Sequence, residues 1–367
     1  MIKYNFTDTN TNEDHQTIVE SLTTLAKIAL SREFSDYSNV LAKNYSASTE
    51  NYDELNQRTK EKLLVYSAQQ AGINDKVNVL TKEGLSRALL NQAFEWNFFA
   101  VQTQTLGTLL SDTEVRAMQG FVGLTTVGLG DSKTFYMGTK ALYNVEDAAY
   151  GNGVTRPRKH FKQPVTITPS PKEASVQFDV VQMLTNDYDF GAEIAKIVVS
   201  IRTKQYQDAV DLLYTGTPIL GTPFVSASFN LTNYTTLADR LSAVNGSAPI
   251  AFATRGAYRA MGATITTGLS TLDEINKQSF VSDLFGVPSR IIEQSVNTSN
   301  GNFAFRVPST KVILIAGAAP IQMVQENYVS VVNQDGSNKN VASKVYAYTF
   351  SYGIDFASGD PYAIQTI

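Results

Sequence analysis

The sequence predicts an α+β protein, and three observations carry that prediction. The first third is dominated by apolar residues at helical spacing, a glycine-punctuated stretch of short Thr-, Val- and Tyr-rich runs follows, and one long amphipathic helix separates that stretch from a mixed remainder. In the 367 residues no self-similarity with a period of 20 to 50 residues is visible, which argues against solenoids and propellers.

Ile18, Val19, Leu22, Leu25, Ala26 and Ala29 recur at intervals of three and four, so Glu13 to Leu30 is expected to form one amphipathic helix. A second helix is expected from about Asp53 to Gln69, stopping at Gly72. Thr81 should cap a third, with Leu85, Ala88, Leu89, Trp96, Phe99 and Ala100 on one face. Trp96, Phe98 and Phe99 are expected to anchor its packing.

Glycines at 120, 123, 128, 130, 138, 151 and 153 then mark strands and turns between Val115 and Val181. Tyr136 to Val165 is too polar to build a core and should project from the body. Val165 and Ile167, then Val176, Phe178 and Val180, read as two strands separated by a turn at Pro169–Lys172. The long helix follows, on Phe190, Ile194, Ile197, Val198, Ile201, Ala209 and Leu213, with Asp187 or Asp189 as its cap. Its apolar face is expected to lie against a sheet that ends in Tyr346–Tyr352.

Further on, helices are expected over Tyr234–Val244 and Arg255–Met261, and strands over Pro249–Ala253 and Lys311–Ala316. A long half-buried strand is expected where Tyr346, Tyr348, Phe350 and Tyr352 alternate with Ala347, Thr349 and Ser351.

Composition restricts function. The net charge of −4 argues against a nucleic-acid binder, because phosphate contacts need clustered Lys and Arg. Only 17% of residues are charged, which suits a surface that meets other subunits closely. Cysteine is absent, which removes disulfides, thiolate zinc sites and Cys nucleophiles and fits a reducing compartment. Neither a signal peptide nor an apolar run long enough for a membrane helix is present, so a soluble chain is expected.

Chemistry is sparse. The two histidines, His15 and His160, do not make a triad or a metal cluster. Gly128–Thr134 lacks the glycine that must precede the lysine of a phosphate loop, and reads as a turn between strands. Asp273, Glu274 and Asp283 lack the spacing of a calcium loop, and Asp187 with Asp189 reads as helix capping in preference to an acid–base pair. No enzyme, cofactor or metal site is therefore expected. Arg156-Pro-Arg-Lys-His-Phe-Lys162 stands out as a basic strip in an acidic chain. It is either a solvated loop tip or a contact for a neighbour, with Arg156, Arg158, Lys159 and Lys162 as the candidate contact residues.

The order of these elements resembles the major capsid proteins of tailed double-stranded DNA phages, the Hong Kong ninety-seven type of capsid fold. The resemblance covers Phe121 to Ile367. It is carried by Val176-Gln-Phe-Asp-Val-Val181 leading into Asp189-Phe-Gly-Ala-Glu-Ile-Ala-Lys-Ile-Val198, by Ile250-Ala-Phe-Ala-Thr-Arg-Gly-Ala257, by Asp283-Leu-Phe-Gly-Val-Pro288 and by Tyr346-Ala-Tyr-Thr-Phe-Ser-Tyr-Gly353. It implies an N-terminal arm and helical region over residues 1–115, and strands with a projecting E-loop over 116–181, the projection itself at about 136–165. It implies a peripheral-domain spine helix within 182–220, an axial domain over 221–340 and a closing peripheral strand over 341–367.

As for function, it implies a structural subunit that self-assembles into hexamers and pentamers of an icosahedral shell. The shell would enclose double-stranded DNA without reading its sequence and would be assembled in a bacterial cytoplasm with scaffolding, portal or decoration partners. No membrane is involved. A same-fold alternative is an encapsulin-like nanocompartment. One of another class is a carbohydrate-binding or hydrolytic α/β protein using Asp273, Asp283 and tyrosines.

Overall fold

The computed structural model describes residues 13–33, 52–73, 78–112, 118, 120–138, 162–179, 189–216, 224–264, 283–292, 294, 296–297, 304–305, 307–333 and 343–367. Helices and strands are combined in an α+β arrangement, as the sequence predicts, with four helices before the first strand. Helices α1 (Glu13–Glu33), α2 (Tyr52–Gln70), α3 (Lys82–Ala88) and α4 (Gln92–Asp112) form the N-terminal layer. The stop at Gly72 is a Schellman motif: Gly72 adopts φ +65°, its N–H donates to Gln69 O at 3.0 Å, and Ile73 N–H donates to Ala68 O at 3.0 Å.

One expected helix is two. The chain turns at Leu89–Asn91, where Asn91 Oδ1 accepts from Ala93 N at 2.9 Å and starts α4 afresh. The new phase changes which aromatics are inside. Phe94, Phe98 and Phe99 are buried, whereas Trp96, expected in the core, is 41% exposed. The helix is largely buried, apart from positions such as Gln92, Trp96 and Thr108, because it lies between the strand Ile321–Asn333 on one side and α1, α2 and the helix Phe190–Thr215 on the others.

A four-stranded sheet runs β1 (Val122–Val127), β12 (Ile321–Asn333), β13 (Ser343–Phe356), β4 (Ser170–Asp179). The turn expected at Pro169–Lys172 is shorter, since Pro171 and Lys172 already belong to β4. Strand β4 is at the sheet edge, where a missing N–H costs no ladder bond. It pairs with β13 and not with the preceding strand, Lys162–Ile167.

Helix α5 (Phe190–Thr215) is continuous from its cap Asp189, and Ile194, Ile197, Val198 and Ile201 are buried. It packs along α1 as well as against β13, so its apolar face is shared between helix and sheet.

A six-stranded sheet runs β5 (Val225–Ser226), β14 (Tyr362–Thr366), β11 (Lys311–Ile315), β6 (Ile250–Ala253), β8 (Val287–Ile291), β7 (Asp283–Leu284). Helices α6 (Leu231–Asn245) and α7 (Arg255–Thr264) pack on it. Strand β11 is buried on both faces. Val312, Leu314 and Ala316 enter the core beneath α6 and α7, while Ile313 and Ile315 enter the larger core shared with α1, α4 and α5. Alternation on one strand thereby joins the two cores.

The two sheets exchange strands late in the chain. Ile321–Asn333 belongs to the four-stranded sheet, and Tyr362–Thr366 crosses back to the six-stranded one. Two small ribbons complete the fold: β2 (Lys133–Gly138) with β3 (Lys162–Ile167), and β9 (Val296–Asn297) with β10 (Ala304–Phe305).

Candidate assembly surface

Ribbon β2–β3 is built from an antiparallel register in which Lys133 faces Ile167 and Gly138 faces Lys162. Ile167 anchors it by packing with Val324 and Ala357, with Phe135 and Val165 partly covered beside them. The ribbon approaches the body closely at both of its ends. A Cβ on Gly353 would stand 2.6 Å from the Thr168 carbonyl oxygen, and one on Gly359 would collide with the Gly138 carbonyl. Both positions therefore need glycine so that the ribbon can approach the body.

Other side chains of the ribbon are open to solvent. Lys162, Gln163, Pro164 and Tyr136 are exposed, Tyr136 to 67%. The ribbon thus brings the chain to Gly138 and takes it up again at Lys162, side by side, with residues 139–161 between. Of the four candidate contact residues, Lys162 sits on the exposed first position of β3. Arg156, Arg158 and Lys159 lie outside the described residues, so their relation to it is not described.

The other expected chemistry resolves into structure. Asp189 Oδ1 accepts from Ala192 N at 2.9 Å and from Tyr52 Oη–H at 2.7 Å, which makes it a cap and an inter-helix tie. Asp187, Asp273, Glu274 and His160 are outside the described residues. Asp283 is exposed and accepts from Gly286 N at 2.8 Å, closing a hairpin turn. Of Gly128–Thr134, residues 128–132 turn between β1 and β2 and Lys133 and Thr134 open β2, with Gly130 at φ +79° and its N–H donating to Glu326 Oε1 at 2.9 Å. His15 is buried and stacks on Tyr66 with ring centroids 5.8 Å apart, and burial lowers its pKa. Among the described residues no group of three His, Cys, Asp or Glu side chains is placed to hold a metal, and no helix is long and apolar enough to cross a membrane.

Sequence reasoning missed one polar centre. Arg202, on α5, is 2% exposed; its Nη1 donates to Gln205 Oε1 at 2.7 Å and to Gln325 Oε1 at 3.2 Å, and its Nη2 donates to the Leu110 carbonyl. The cation thus meets the last turn of α4, where orphan carbonyls and the helix dipole favour positive charge. Gln325 lies where the β12–β13 register shifts, between Gln325 and Val329. The arrangement ties α4, α5 and β12 together and offers no nucleophile or proton relay. An arginine amid helical apolar spacing was the available signal.

No family model and no curated protein matches this chain. Solved structures are similar to it at low identity. A phage-related protein from Bordetella bronchiseptica aligns with TM-score 0.47 and 13% identity, covering 71% of this chain and 95% of that one. The capsid of a native GTA particle aligns with TM-score 0.46 and 11% identity, over 68% and 89%. The holo-SrpI encapsulin complex from Synechococcus elongatus aligns with TM-score 0.38 and 14% identity, over 66% and 84%.

Proposed function

We propose that this chain is a shell-building subunit of a phage capsid and not an enzyme. The observation that carries the reading is ribbon β2–β3, pinned to the body at Ile167 and Gly359 and exposed at Tyr136 and Lys162. The polar stretch 139–161, with most of the basic strip, links the two strands of this ribbon in the sequence. Ordering such a stretch costs conformational entropy that contacts with a neighbour offset.

The rest of the subunit suits that role. A helical layer, a long helix and two sheets share continuous cores, which gives a stiff body for many modest contacts to act on. The resemblance noted in the sequence supplies the assembly: hexamers and pentamers of an icosahedral shell around double-stranded DNA, put together in a bacterial cytoplasm with scaffolding, portal or decoration proteins. The DNA is contained and not read, in keeping with the acidic balance of the chain.

Sedimentation and electron microscopy of the expressed chain, with scaffolding protein if required, test the reading. Closed megadalton shells are expected. A monomer or small oligomer under all conditions overturns it, and shells filled with a cargo enzyme in place of DNA assign the chain to a nanocompartment.

A further inference from the structure

Two glycines of the body are not required by their own backbone angles: neither Gly353 nor Gly359 takes the left-handed φ that L side chains avoid. The space each leaves is taken by ribbon β2–β3. The atoms nearest to a Cβ at Gly353 belong to Ile167 and Thr168, and those nearest to a Cβ at Gly359 all belong to Gly138. Ile167 ends β3, and Gly138 ends β2 opposite Lys162. The second contact therefore lies where residues 139–161 leave the ribbon and return to it.

Gly359 sits in the link Ala357–Pro361, which carries the chain from β13 of the four-stranded sheet to β14 of the six-stranded one; Ala316–Pro320, between β11 and β12, carries it the opposite way. These two links are tied to each other. Asp360, 5% exposed, accepts from Ala318 N on Oδ2 at 3.2 Å, and Ala357 N donates to Pro320 O at 3.1 Å. Asn245, buried at the end of α6, donates from Nδ2 to Ala316 O at 2.7 Å and to Pro361 O at 3.1 Å. One side chain thus fastens both links to a helix of the six-stranded sheet, and buried carbonyls held by such bonds are costly to free.

We infer that Asp360 and Asn245 are positioning residues for the ribbon: they hold the turn against which Gly138 is seated, and so fix the point from which residues 139–161 leave the subunit. Ile167 packs the ribbon on Val324 of the four-stranded sheet, whereas the Gly138–Lys162 end is set by the crossover to the six-stranded sheet. Contact residues on that segment then keep one place relative to both sheets, which lowers the ordering cost that each inter-subunit contact must offset. For its consequence in assembly the inference rests on the shell-subunit reading; the positioning itself is a property of the free subunit.

Amide exchange in the free subunit tests the positioning. The methyl of G359A meets the ribbon first, so exchange at residues 135–138 and 165–167 should quicken about tenfold while α5 keeps its wild-type rate. D360A and N245A should do the same by loosening the turn, and D360N should restore slow exchange, because its amide oxygen still accepts from Ala318 N. Unchanged ribbon exchange in G359A, or a misfolded G359A, overturns the contact. Equal acceleration in the ribbon and α5 of D360A, or no recovery in D360N, makes Asp360 a general stabiliser and removes its assignment. In particle formation G359A should need about tenfold more subunit. Assembly at the wild-type concentration overturns the link to assembly, whereas a wild-type chain that forms no particle overturns the shell reading and leaves the exchange result standing.

Discussion

The hydroxyl of Tyr348 donates to Gln102 Oε1 across 2.8 Å, joining the inner face of β13 to helix α4 where both side chains are buried. Two neighbours on the same face act alike, Tyr346 Oη–H donating to Glu95 Oε1 at 3.2 Å and Tyr352 Oη–H to Asp208 Oδ2 at 2.6 Å. Alternate tyrosines on one strand thus tie two helices to the sheet. Burial pushes the Tyr348 hydroxyl well above its ordinary pKa and keeps it a donor at any working pH.

Tyr348→Phe should cost about 1–3 kcal/mol, because the Gln102 carbonyl is left buried without its donor. The double variant Tyr348→Phe, Gln102→Leu should be more stable than the sum of the two single changes predicts, since both polar partners leave together. Urea unfolding of the free subunit measures both. Additive losses would show that the bond does not couple strand to helix.

Ile197→Asp should prevent folding. Ile197 is 5% exposed within the core of α5, and an unpaired buried carboxylate costs several kcal/mol, on the order of a domain's whole stability. The measurement is the soluble fraction with its circular dichroism spectrum. A soluble variant that assembles normally would refute the placement of this helix.

Arg202→Leu should destabilise the subunit by about 2–4 kcal/mol, since the Leu110 carbonyl and the Gln205 and Gln325 side chains lose a buried donor. The loss should be local first. Amide exchange over residues 103–112, the last turns of α4, should accelerate before exchange in α6, which lies on the other core. Equal acceleration in both helices would remove the arginine from its proposed place as the tie at the end of α4.

His15 gives a pH dependence with a definite sign. Burial lowers its folded-state pKa from the ordinary 6.5, so the unfolded chain takes up a proton first as pH falls. The stability that goes with neutral His15 is therefore present above 6.5 and is lost as pH drops below it, toward the folded-state value. Thermal midpoints between pH 7.5 and 5.5 should decline in the wild type and decline less in His15→Phe, which keeps the stack on Tyr66. Parallel profiles would exclude the histidine as the source.

Much of this fold was legible because its signals are local. Ile194 to Leu213 announces α5 by spacing, Gly72 ends α2 by its left-handed φ, and Tyr346–Tyr352 shows its buried face by alternation. Strand β12 was illegible for a physical reason. Ile321 and Met323 and then Val329 and Val331 face one core in phase, but the register shifts between Gln325 and Val329, and polar Gln325, Glu326 and Asn327 interrupt the apolar alternation there. The break at Asn91 was hidden by apolar residues that continue the helical spacing across it, and the parallel pairing of β1 with β12 joins segments too distant for any local pattern to report. At the candidate surface, charge counting located the strip that ends at Lys162, whereas the approach of Gly138 to Gly359 joins positions that composition cannot connect.

The basic strip supports the last prediction. Arg156, Arg158, Lys159 and Lys162 fall within seven residues of an acidic chain, and the described end of the strip, Lys162, is exposed at the first position of β3. If the strip lies over a neighbour, acidic side chains there can pair with the guanidinium forks of Arg156 and Arg158, and Pro157 keeps the residue before it extended. Each exposed pair is worth only about 0–1 kcal/mol, but a shell repeats the contact at every subunit, so small contributions bias assembly strongly. Salt should weaken the effect, since charges at a rim are screened beyond about 8 Å at physiological ionic strength. Arg156→Glu with Arg158→Glu should therefore leave the subunit folded and soluble while slowing or blocking shell formation. Circular dichroism and particle sizing on one preparation decide the matter: normal folding with normal assembly removes the contact, and misfolding removes the claim that this stretch stands clear of the core.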